Sequence, residues 1–307
     1  MESPSAQTNR TVLILWGALC LVLLVALYRH VWPAFWYRWA NEAAYDHCPL
    51  VPVAVAGLVW FHRRELALLQ AAPWARGLWL LAAGLLICFL GYLTGARFIV
   101  GLSFPVVIMG LVATGLGSAY LRVLGFSLAL FLFAIPFPRH ILGMVAMPMQ
   151  IVSTTLTVAG TRLFGIPVIQ EGVNVALPSF QFVVAEACSG MNSLVALFLA
   201  GGVVAELMRL VTWQKLVIYA LTPLIVIAAN VIRLLSVVLV GELVGPELAL
   251  SQFVHGGSDV VVYLAAFLLV WGLGNALQSW TPMGLSAVTD VAQSSPGPAS
   301  ETGLEPK

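Results

Sequence analysis

Long apolar runs, joined by short polar segments, fill most of the chain. A helix that spans a bilayer needs about 20 mostly apolar residues, and about eight segments approach that length. They lie near residues 11–28, 49–62, 77–94, 98–117, 121–137, 190–207, 215–243 and 257–278. Hydrophobic residues make up 61% of the chain and charged residues only 9%, far below the roughly 25% charged residues of soluble domains. The pattern predicts an all-α polytopic membrane protein with about eight transmembrane helices.

The segment 138–187, between the fifth and sixth apolar runs, has a different pattern. Its first part, 141–164, carries Met and Leu at helical spacing with polar residues between them, which predicts an amphipathic or partly inserted helix. Its second part holds two β-rich runs, 168–175 and 180–184, separated by Leu177-Pro178-Ser179. These runs predict a short β-hairpin at the membrane surface, just before the sixth span.

The distribution of Lys and Arg predicts the orientation, because short cytoplasmic loops are enriched in these residues. With the amino terminus inside, the compact inner loops hold Arg63, Arg64, Arg76, Arg122, Arg209 and Lys215. The outer side then receives Arg29, Arg38, Arg97, Arg139, Arg162 and Arg233, so the orientation rests on the compactness of the inner loops and not on the count. Both termini are then cytoplasmic, and 138–187 is extracytoplasmic. We predict transmembrane helices 1–4 in 1–119, a core with helices 5–8 in 120–278, and a disordered cytoplasmic tail in 279–307, which is rich in Ser, Pro and Gly.

Charge and cysteine content exclude several classes of function. The net charge is +1, from 14 basic and 13 acidic residues, so the chain offers no broad basic surface for nucleic acid. Cys20, Cys48, Cys88 and Cys188 show neither CxxC nor metal-type spacing. We therefore expect no disulfide framework, no metal site and no cofactor.

Cys188 differs from the other cysteines in its surroundings. It stands in Glu186-Ala187-Cys188-Ser189-Gly190, where the predicted hairpin ends and the sixth span begins. Unpaired N–H groups and the positive dipole at a helix start favour a thiolate and offer donors to an oxyanion. A membrane cysteine is otherwise most often a small apolar filler, which remains the interpretation of Cys20 and Cys88. The polar flank makes Cys188 a candidate nucleophile.

Two further polar residues are predicted at the same depth in the membrane. Arg233 lies in the seventh apolar run, roughly 27 Å along a helix from Lys215 at 1.5 Å per residue. An arginine inside a membrane is costly and is therefore a functional candidate, the alternative being a side chain that snorkels to the head groups. His255 stands at the start of the last span on the same side, where a single histidine is more often a hydrogen-bonded anchor than a base. Together, Cys188, Arg233 and His255 suit a nucleophile, an oxyanion stabiliser and a general base.

Short motifs contain these residues. They are Glu186-Ala187-Cys188-Ser189-Gly190, Asn230-Val231-Ile232-Arg233 and His255-Gly256-Gly257, supported by Ile135-Pro136-Phe137-Pro138 and the run 165–178. Over about 120–278 the chain resembles the exosortase and archaeosortase family of membrane cysteine transpeptidases. Archaeosortases resemble it less well, since they tend to carry Arg where this chain has His255. Met191-Asn192 also departs from the Leu-Arg common among polysaccharide-linked bacterial exosortases.

The resemblance implies both a reaction and a substrate. Cys188 would be the nucleophile and form a thioester, with Arg233 and His255 completing the site. The substrate would be an exported protein with a C-terminal sorting signal of three parts: a short motif of the PEP-CTERM kind, one hydrophobic helix and a basic end. A lipid or glycan acceptor would resolve the thioester, whereas water would make the chain a plain protease. The resemblance also implies the bacterial inner membrane, with the site on its extracytoplasmic side.

Residues beside these motifs are candidates for supporting roles. Glu186 either contacts the imidazole or the guanidinium of the site, or it only complements the helix dipole. Asn230, one helical turn from the arginine, is placed to hydrogen-bond across helices, and Gly190 completes the cysteine motif. Ser189 and Ser193 are expected to do no more than cap the sixth span.

Other classes of membrane protein remain as alternatives. A transporter or channel predicts acidic or paired charges near the midplane and broken helices in related halves, and the sequence shows neither. An enzyme acting on lipid-linked sugars, or an assembly factor for exopolysaccharide without peptidase activity, would commonly need acidic residues. The outer loops offer only the scattered Glu171, Glu242, Glu247 and Asp259.

Overall fold

The structure, a computed structural model, describes residues 17–18, 20–184, 190–249 and 252–280, with the backbone alone for 249 and 252–259. The predicted nucleophile Cys188 and its neighbour Glu186 lie outside the described residues. So do the beginning of the first apolar run and the predicted tail from 281 onward.

Helices make up most of the described chain. In order they are α1 (Cys20–Tyr28), α2 (Trp32–Asn41), α3 (Leu50–Phe61), α4 (Arg63–Leu68), α5 (Gly77–Thr94), α6 (Arg97–Gly115), α7 (Ser118–Ala129), α8 (Arg139–Leu163), α9 (Met191–Leu207), α10 (Thr212–Leu243), α11 (Pro246–Ala249) and α12 (Gln252–Ser279). Short 3-10 turns, Ala43–Tyr45 and Leu130–Ala134, precede α3 and extend α7. The strands β1 (Ile169–Glu171), β2 (Asn174–Ala176) and β3 (Gln181–Val183) lie between α8 and α9 in sequence.

Among the described residues, 6 helices are long and apolar enough to cross a membrane. They are Ala43–Phe61, Gly77–Thr94, Arg97–Gly115, Arg139–Leu163, Thr212–Leu243 and Val260–Ser279. The pair α1 and α2, bent by 70°, makes a seventh if it forms one span, and Ser118–Ala134 and Met191–Leu207 are shorter apolar helices. The predicted all-α polytopic membrane fold is confirmed, and each predicted span overlaps one of these helices.

The helix predicted for 141–164 is α8, and it buries its polar face. The buried polar residues are Gln150, Ser153, Thr154, Thr157 and Thr161, and the exposed apolar ones include Met144, Met147, Ile151, Val152, Leu156 and Leu163. An apolar outer face is suited to contact with lipid. The N-terminal end of α8 lies beside Met191, and its C-terminal half packs on Leu235 through Gly160. α8 therefore crosses the C-terminal half of α10 obliquely.

The predicted hairpin is instead a three-stranded antiparallel sheet in the order β1-β2-β3. The run 168–175 folds back on itself, because Gly172 adopts a left-handed φ of 63° that permits a tight turn between β1 and β2. β2 then pairs with β3, with Val175 opposite Phe182. The sequence prediction missed this turn within the first β-rich run.

The sheet packs on the C-terminal end of α10. The ring of Phe180 lies so close to Gly241 that a Cβ at this position would collide with it. Ser179 donates hydrogen bonds from its backbone N–H (3.1 Å) and its hydroxyl (3.0 Å) to the Glu242 carboxylate. These contacts fix the sheet at one end of the helix bundle.

α10 is the longest helix and carries part of the candidate site. Its 32 residues form one continuous helix, about 48 Å long at 1.5 Å per residue. α9 runs antiparallel to it, since Glu206 near the end of α9 pairs with Lys215 near the start of α10. At the other end, Gly190 contacts Asn230. α12 packs against both helices, with Val270 fully buried.

Charged side chains gather at the end of the bundle opposite to Asn230. His62 lies 3.2 Å from Glu206, which also pairs with Lys215. Arg209 forms a 2.6 Å ion pair with Glu65. Arg209 and Lys215 were both assigned to inner loops from the sequence, and the structure brings them together at one end.

Candidate active site

A narrow crevice opens between the start of α9, the C-terminal half of α10 and the first half of α12. Its volume, including the open mouth, is about 350 Å³. Its walls include Gly190, which immediately precedes α9, and the polar residues Ser193 of α9, Asn230 and Arg233 of α10, and Tyr263 of α12. The crevice therefore joins residues from two motifs that lie far apart in the sequence.

Gly190 is held in a conformation that suits glycine. Its φ is 83°, in the left-handed region, and it immediately precedes the first residue of α9. A Cβ at this position would lie 3.1 Å from Cγ1 of Val226, which is tighter than an ordinary contact. Its carbonyl accepts a hydrogen bond from the N–H of Leu194 at 2.9 Å. The backbone just after the predicted nucleophile is therefore fixed against α10.

Asn230 and Arg233 lie one helical turn apart on α10 and face the same crevice. Asn230 is buried, with 4% of its surface exposed, and Arg233 is half-buried. Because α10 is continuous, Arg233 lies roughly 27 Å along the axis from Lys215 at 1.5 Å per residue. This distance is close to the thickness of the hydrocarbon core, about 30 Å.

His255 belongs to α12, which begins at Gln252. It therefore stands in the first turn of the last helix, as predicted from its place at the start of the last span. Its position is seven residues before Val262, a residue of the crevice wall, and seven residues make about two helical turns. The two positions thus share one face of the α12 backbone, while the His255 side chain is outside the described part.

The structure brings three of the predicted site residues to the lining of one crevice: Gly190, Asn230 and Arg233. Cys188 and Glu186 are outside the described residues, so the meeting of thiol, guanidinium and imidazole stays a prediction. Within the described ranges, no three His, Cys, Asp or Glu side chains lie together as a metal site would require.

Sequence reasoning missed other residues around the crevice. Ser193 was expected only to cap the helix, but its position lines the crevice, and the described start of α9 has no side-chain cap. Tyr263 was not singled out, because a single tyrosine in a span carries no signal of its own. Gln150 of α8 donates a hydrogen bond to the carbonyl of Val184, which fixes the end of the sheet.

A second, apolar cavity of about 700 Å³ lies on the other side of the α9 start. Its lining includes Tyr45, His47, Phe133, Phe137, Ile141 and Met191.

Hydrogen bonds of Arg38 and Glu42 stabilise the wall of this cavity. Arg38 donates to the Glu42 carboxylate at 3.0 and 3.1 Å and to the carbonyl of Phe137 at 3.2 Å. The hydrogen bond from Arg38 holds the pKa of Glu42 below its usual value. These contacts tie α2 to the segment that leads into α8.

Comparison with known proteins identifies the family. A model of the transmembrane exosortase family matches residues 39–272, which is more than half of the chain and extends beyond the resemblance seen over 120–278. No curated protein and no solved structure matches the chain. The chain therefore belongs to the transmembrane exosortase family, a family of membrane protein-sorting transpeptidases.

Proposed function

We propose that this exosortase is a membrane-embedded cysteine transpeptidase that cleaves the C-terminal sorting signal of exported proteins through a Cys188 thioester. The observation that carries the proposal is the crevice, where Gly190 of the cysteine motif meets Asn230 and Arg233 of the arginine motif. A family match supports a protein-sorting transpeptidase in general. The cysteine chemistry and the substrate signal are our inference.

Chain connectivity supports Cys188 as the nucleophile of this crevice. Cys188 is two residues before Gly190, and two residues of chain span at most about 7 Å. The nucleophile would therefore lie close to the first N–H groups of α9, which begins at Met191. Such N–H groups and the positive end of the helix favour a thiolate and can stabilise an oxyanion.

The reaction would proceed in two steps through a covalent intermediate. His255 takes the proton of the Cys188 thiol, and the thiolate attacks the carbonyl carbon of the scissile peptide bond. The C–N bond breaks, the leaving amine receives the proton from His255, and a thioester remains. An amine or hydroxyl of a lipid or glycan acceptor then gives its proton to His255 and attacks the thioester. The C–S bond breaks and the thiolate is restored.

Each of the other polar residues has a role in this scheme. Arg233 stabilises the oxyanion of both tetrahedral intermediates, and Asn230 positions that guanidinium from one turn away. Gly190 lets the backbone approach α10. Glu186 either orients His255 or complements the dipole of α9.

The depth of the crevice fits a substrate anchored in the membrane. With the Lys215 end in the cytoplasm, Arg233 reaches the extracytoplasmic edge of the hydrocarbon core. A substrate with one hydrophobic helix and a basic cytoplasmic end would present its sorting motif at that edge. Diffusion within the bilayer then supplies both encounter and orientation. Both termini of the enzyme would be cytoplasmic, in a bacterial inner membrane.

Replacement of single cysteines tests the proposal. The substrate is a tagged protein from the same genome that ends in a short motif, one hydrophobic helix and a basic tail. Cys188→Ala should lower its processing by about a thousandfold or more, since the nucleophile is lost. Cys88→Ala is the matched control, because Cys88 is a buried apolar contact of α5. It should process the substrate at a rate near that of the wild type.

Wild-type processing by Cys188→Ala would overturn the proposal. Processing that is unchanged while exopolysaccharide export fails would instead favour an assembly factor without peptidase activity.

A further inference from the structure

The three-stranded sheet ends in an open edge. β3 pairs with β2 on one side only, and no third strand covers its other side among the described residues. Gln181 is exposed, and 62% of the Val183 surface is exposed. An exposed edge of this kind can pair with a further extended chain.

The register shows which backbone groups of β3 face outward. The N–H of Val184 donates to Val173, and the N–H of Leu177 donates to the carbonyl of Phe180. Hydrogen-bonded and non-hydrogen-bonded pairs alternate along an antiparallel ladder. The backbone N–H and C=O of Phe182, which lies opposite Val175, therefore also point toward β2.

It follows that Gln181 and Val183 direct their N–H and C=O groups away from β2. These groups have no backbone partner among the described residues. The edge therefore offers two donors and two acceptors in the spacing of a β-ladder.

The same end of the sheet leads directly to the cysteine motif. β3 ends at Val183, and Cys188 follows five residues later in the sequence. The carbonyl of Val184 is fixed by Gln150, so the strand cannot slide freely along α8. A peptide paired with β3 would thus lie beside the chain segment that carries the nucleophile.

The edge also lies at a depth where a peptide can be extended. The sheet packs on Gly241, which is roughly 39 Å along α10 from Lys215 at 1.5 Å per residue, beyond a hydrocarbon core of about 30 Å. At that depth, water can hydrogen-bond to the outward N–H and C=O groups of β3 until a substrate peptide replaces it. The hydrocarbon core contains no water that could do so.

We infer that the free edge of β3 binds the sorting motif of the substrate as a fourth strand. This inference rests on the proposed function and deepens it, because it names the mode of substrate recognition. The occupant is an extended peptide that continues into a membrane helix. Backbone pairing holds it, and the side chains of Gln181 and Val183 contact its residues on the exposed face of the sheet.

Proline substitutions test the outward hydrogen bonds without removing those to β2. Gln181→Pro and Val183→Pro each delete one outward N–H, and proline is tolerated at such edge positions. Each should lower kcat/KM for the tagged tail protein by about fivefold to tenfold, the worth of one hydrogen bond.

Gln170→Pro is the matched control on the other edge of the sheet. Gln170 lies opposite Val175. The N–H and C=O of Val175 point toward β3, so this pair is not hydrogen-bonded and the N–H of Gln170 points away from β2. This variant should retain wild-type kcat/KM although it also loses the side-chain hydrogen bonds from Gln170 to Thr155 and to the carbonyl of Gly172. If kcat/KM fell in all three variants, the effect would come from damage to the sheet, and the inference would be overturned.

Photo-crosslinking gives a second readout that needs no turnover. A benzoylphenylalanine replaces Gln181 or, as the control, Gln170 in the full chain carrying Cys188→Ala. The tagged tail protein should crosslink to position 181 and not to position 170. Equal crosslinking from both positions, or none from 181, would overturn strand addition even if a proline variant failed to fold.

The two proposals fail in different ways. If Cys188→Ala abolishes processing but Gln181→Pro and Val183→Pro process at the wild-type rate, only strand addition is wrong. If Cys188→Ala still processes the tail, the cysteine mechanism itself is wrong.

Discussion

In the proposed mechanism, Arg233 is the residue that stabilises the oxyanion. A charged side chain in a membrane helix costs on the order of 2.5–3.5 kcal/mol on insertion scales, so it needs a compensating role. The structure places Arg233 in the wall of a crevice that Asn230 and Gly190 also line. Snorkelling to head groups alone would not require those neighbours.

Replacing Arg233 by lysine or methionine should separate charge from geometry. Lysine keeps the charge but lacks the planar fork of donors. We expect Arg233→Lys to lower processing by about tenfold to a hundredfold, and Arg233→Met by about a hundredfold to a thousandfold, as for loss of an oxyanion donor. Processing of the tagged tail protein at matched membrane levels measures both effects. If Arg233→Met kept wild-type activity, the arginine would be only a membrane anchor.

At the scale of elements, α5 and α6 pack closely through glycines. Gly77, Gly84 and Gly91 recur every seven residues along one face of α5. A Cβ at Gly91 would lie 2.6 Å from the backbone N of Val100, and one at Gly84 would lie 2.9 Å from that of Val107. Small residues allow such close approach of membrane helices.

This packing predicts a position-dependent effect of a single methyl group. Gly91→Ala should destabilise the protein by about 1–3 kcal/mol, because overpacking forces the two helices apart. Gly57→Ala in α3 is the matched control, since no atom lies within 4 Å of the added Cβ, and it should be neutral or slightly stabilising. Thermal unfolding in detergent micelles measures the difference. Equal stability of the two variants would contradict the close contact of α5 and α6.

The apolar pattern predicted the helices better than the elements between them. Each span was visible because about 20 apolar residues leave little choice in a membrane. The orientation of α8 was not visible, because sequence periodicity shows two faces but not which one the protein buries. The tight turn at Gly172 was missed, because it falls inside a run that reads as one strand.

The candidate site could be predicted in part for a related reason. Arg233 and Asn230 stood out as polar residues in an apolar helix, and the crevice joins them to Gly190. Ser193 and Tyr263 were missed as wall residues, because a serine near a helix start and a tyrosine in a span are common and carry no signal of their own. Only tertiary packing shows which face of each helix meets the others.

At the scale of the whole molecule, the two ends of the bundle differ in character. One end holds the largely buried ion pair of Glu206 with Lys215 and the exposed ion pair of Glu65 with Arg209. The other holds the crevice and the sheet. We propose that the first end is cytoplasmic, since its loops are compact and basic.

Labelling of single added cysteines tests this orientation. In a Cys188→Ala background, Glu171→Cys at the exposed end of β1 should react with a membrane-impermeant maleimide in intact spheroplasts. Arg64→Cys in α4, also exposed, should react only after the membrane is permeabilised. The reverse pattern would put the crevice on the cytoplasmic side and exclude the proposed delivery of exported substrates.

Capture of the covalent intermediate tests the central claim most directly. The full-length enzyme is incubated in membranes with the tagged tail protein, quenched in acid, digested and analysed by mass spectrometry. We predict that the peptide containing Cys188 carries the carboxyl end of the cleaved substrate through a thioester, and that neutral hydroxylamine releases it. Substrate cleavage with no adduct on Cys188, or with the adduct on another residue, would contradict the account.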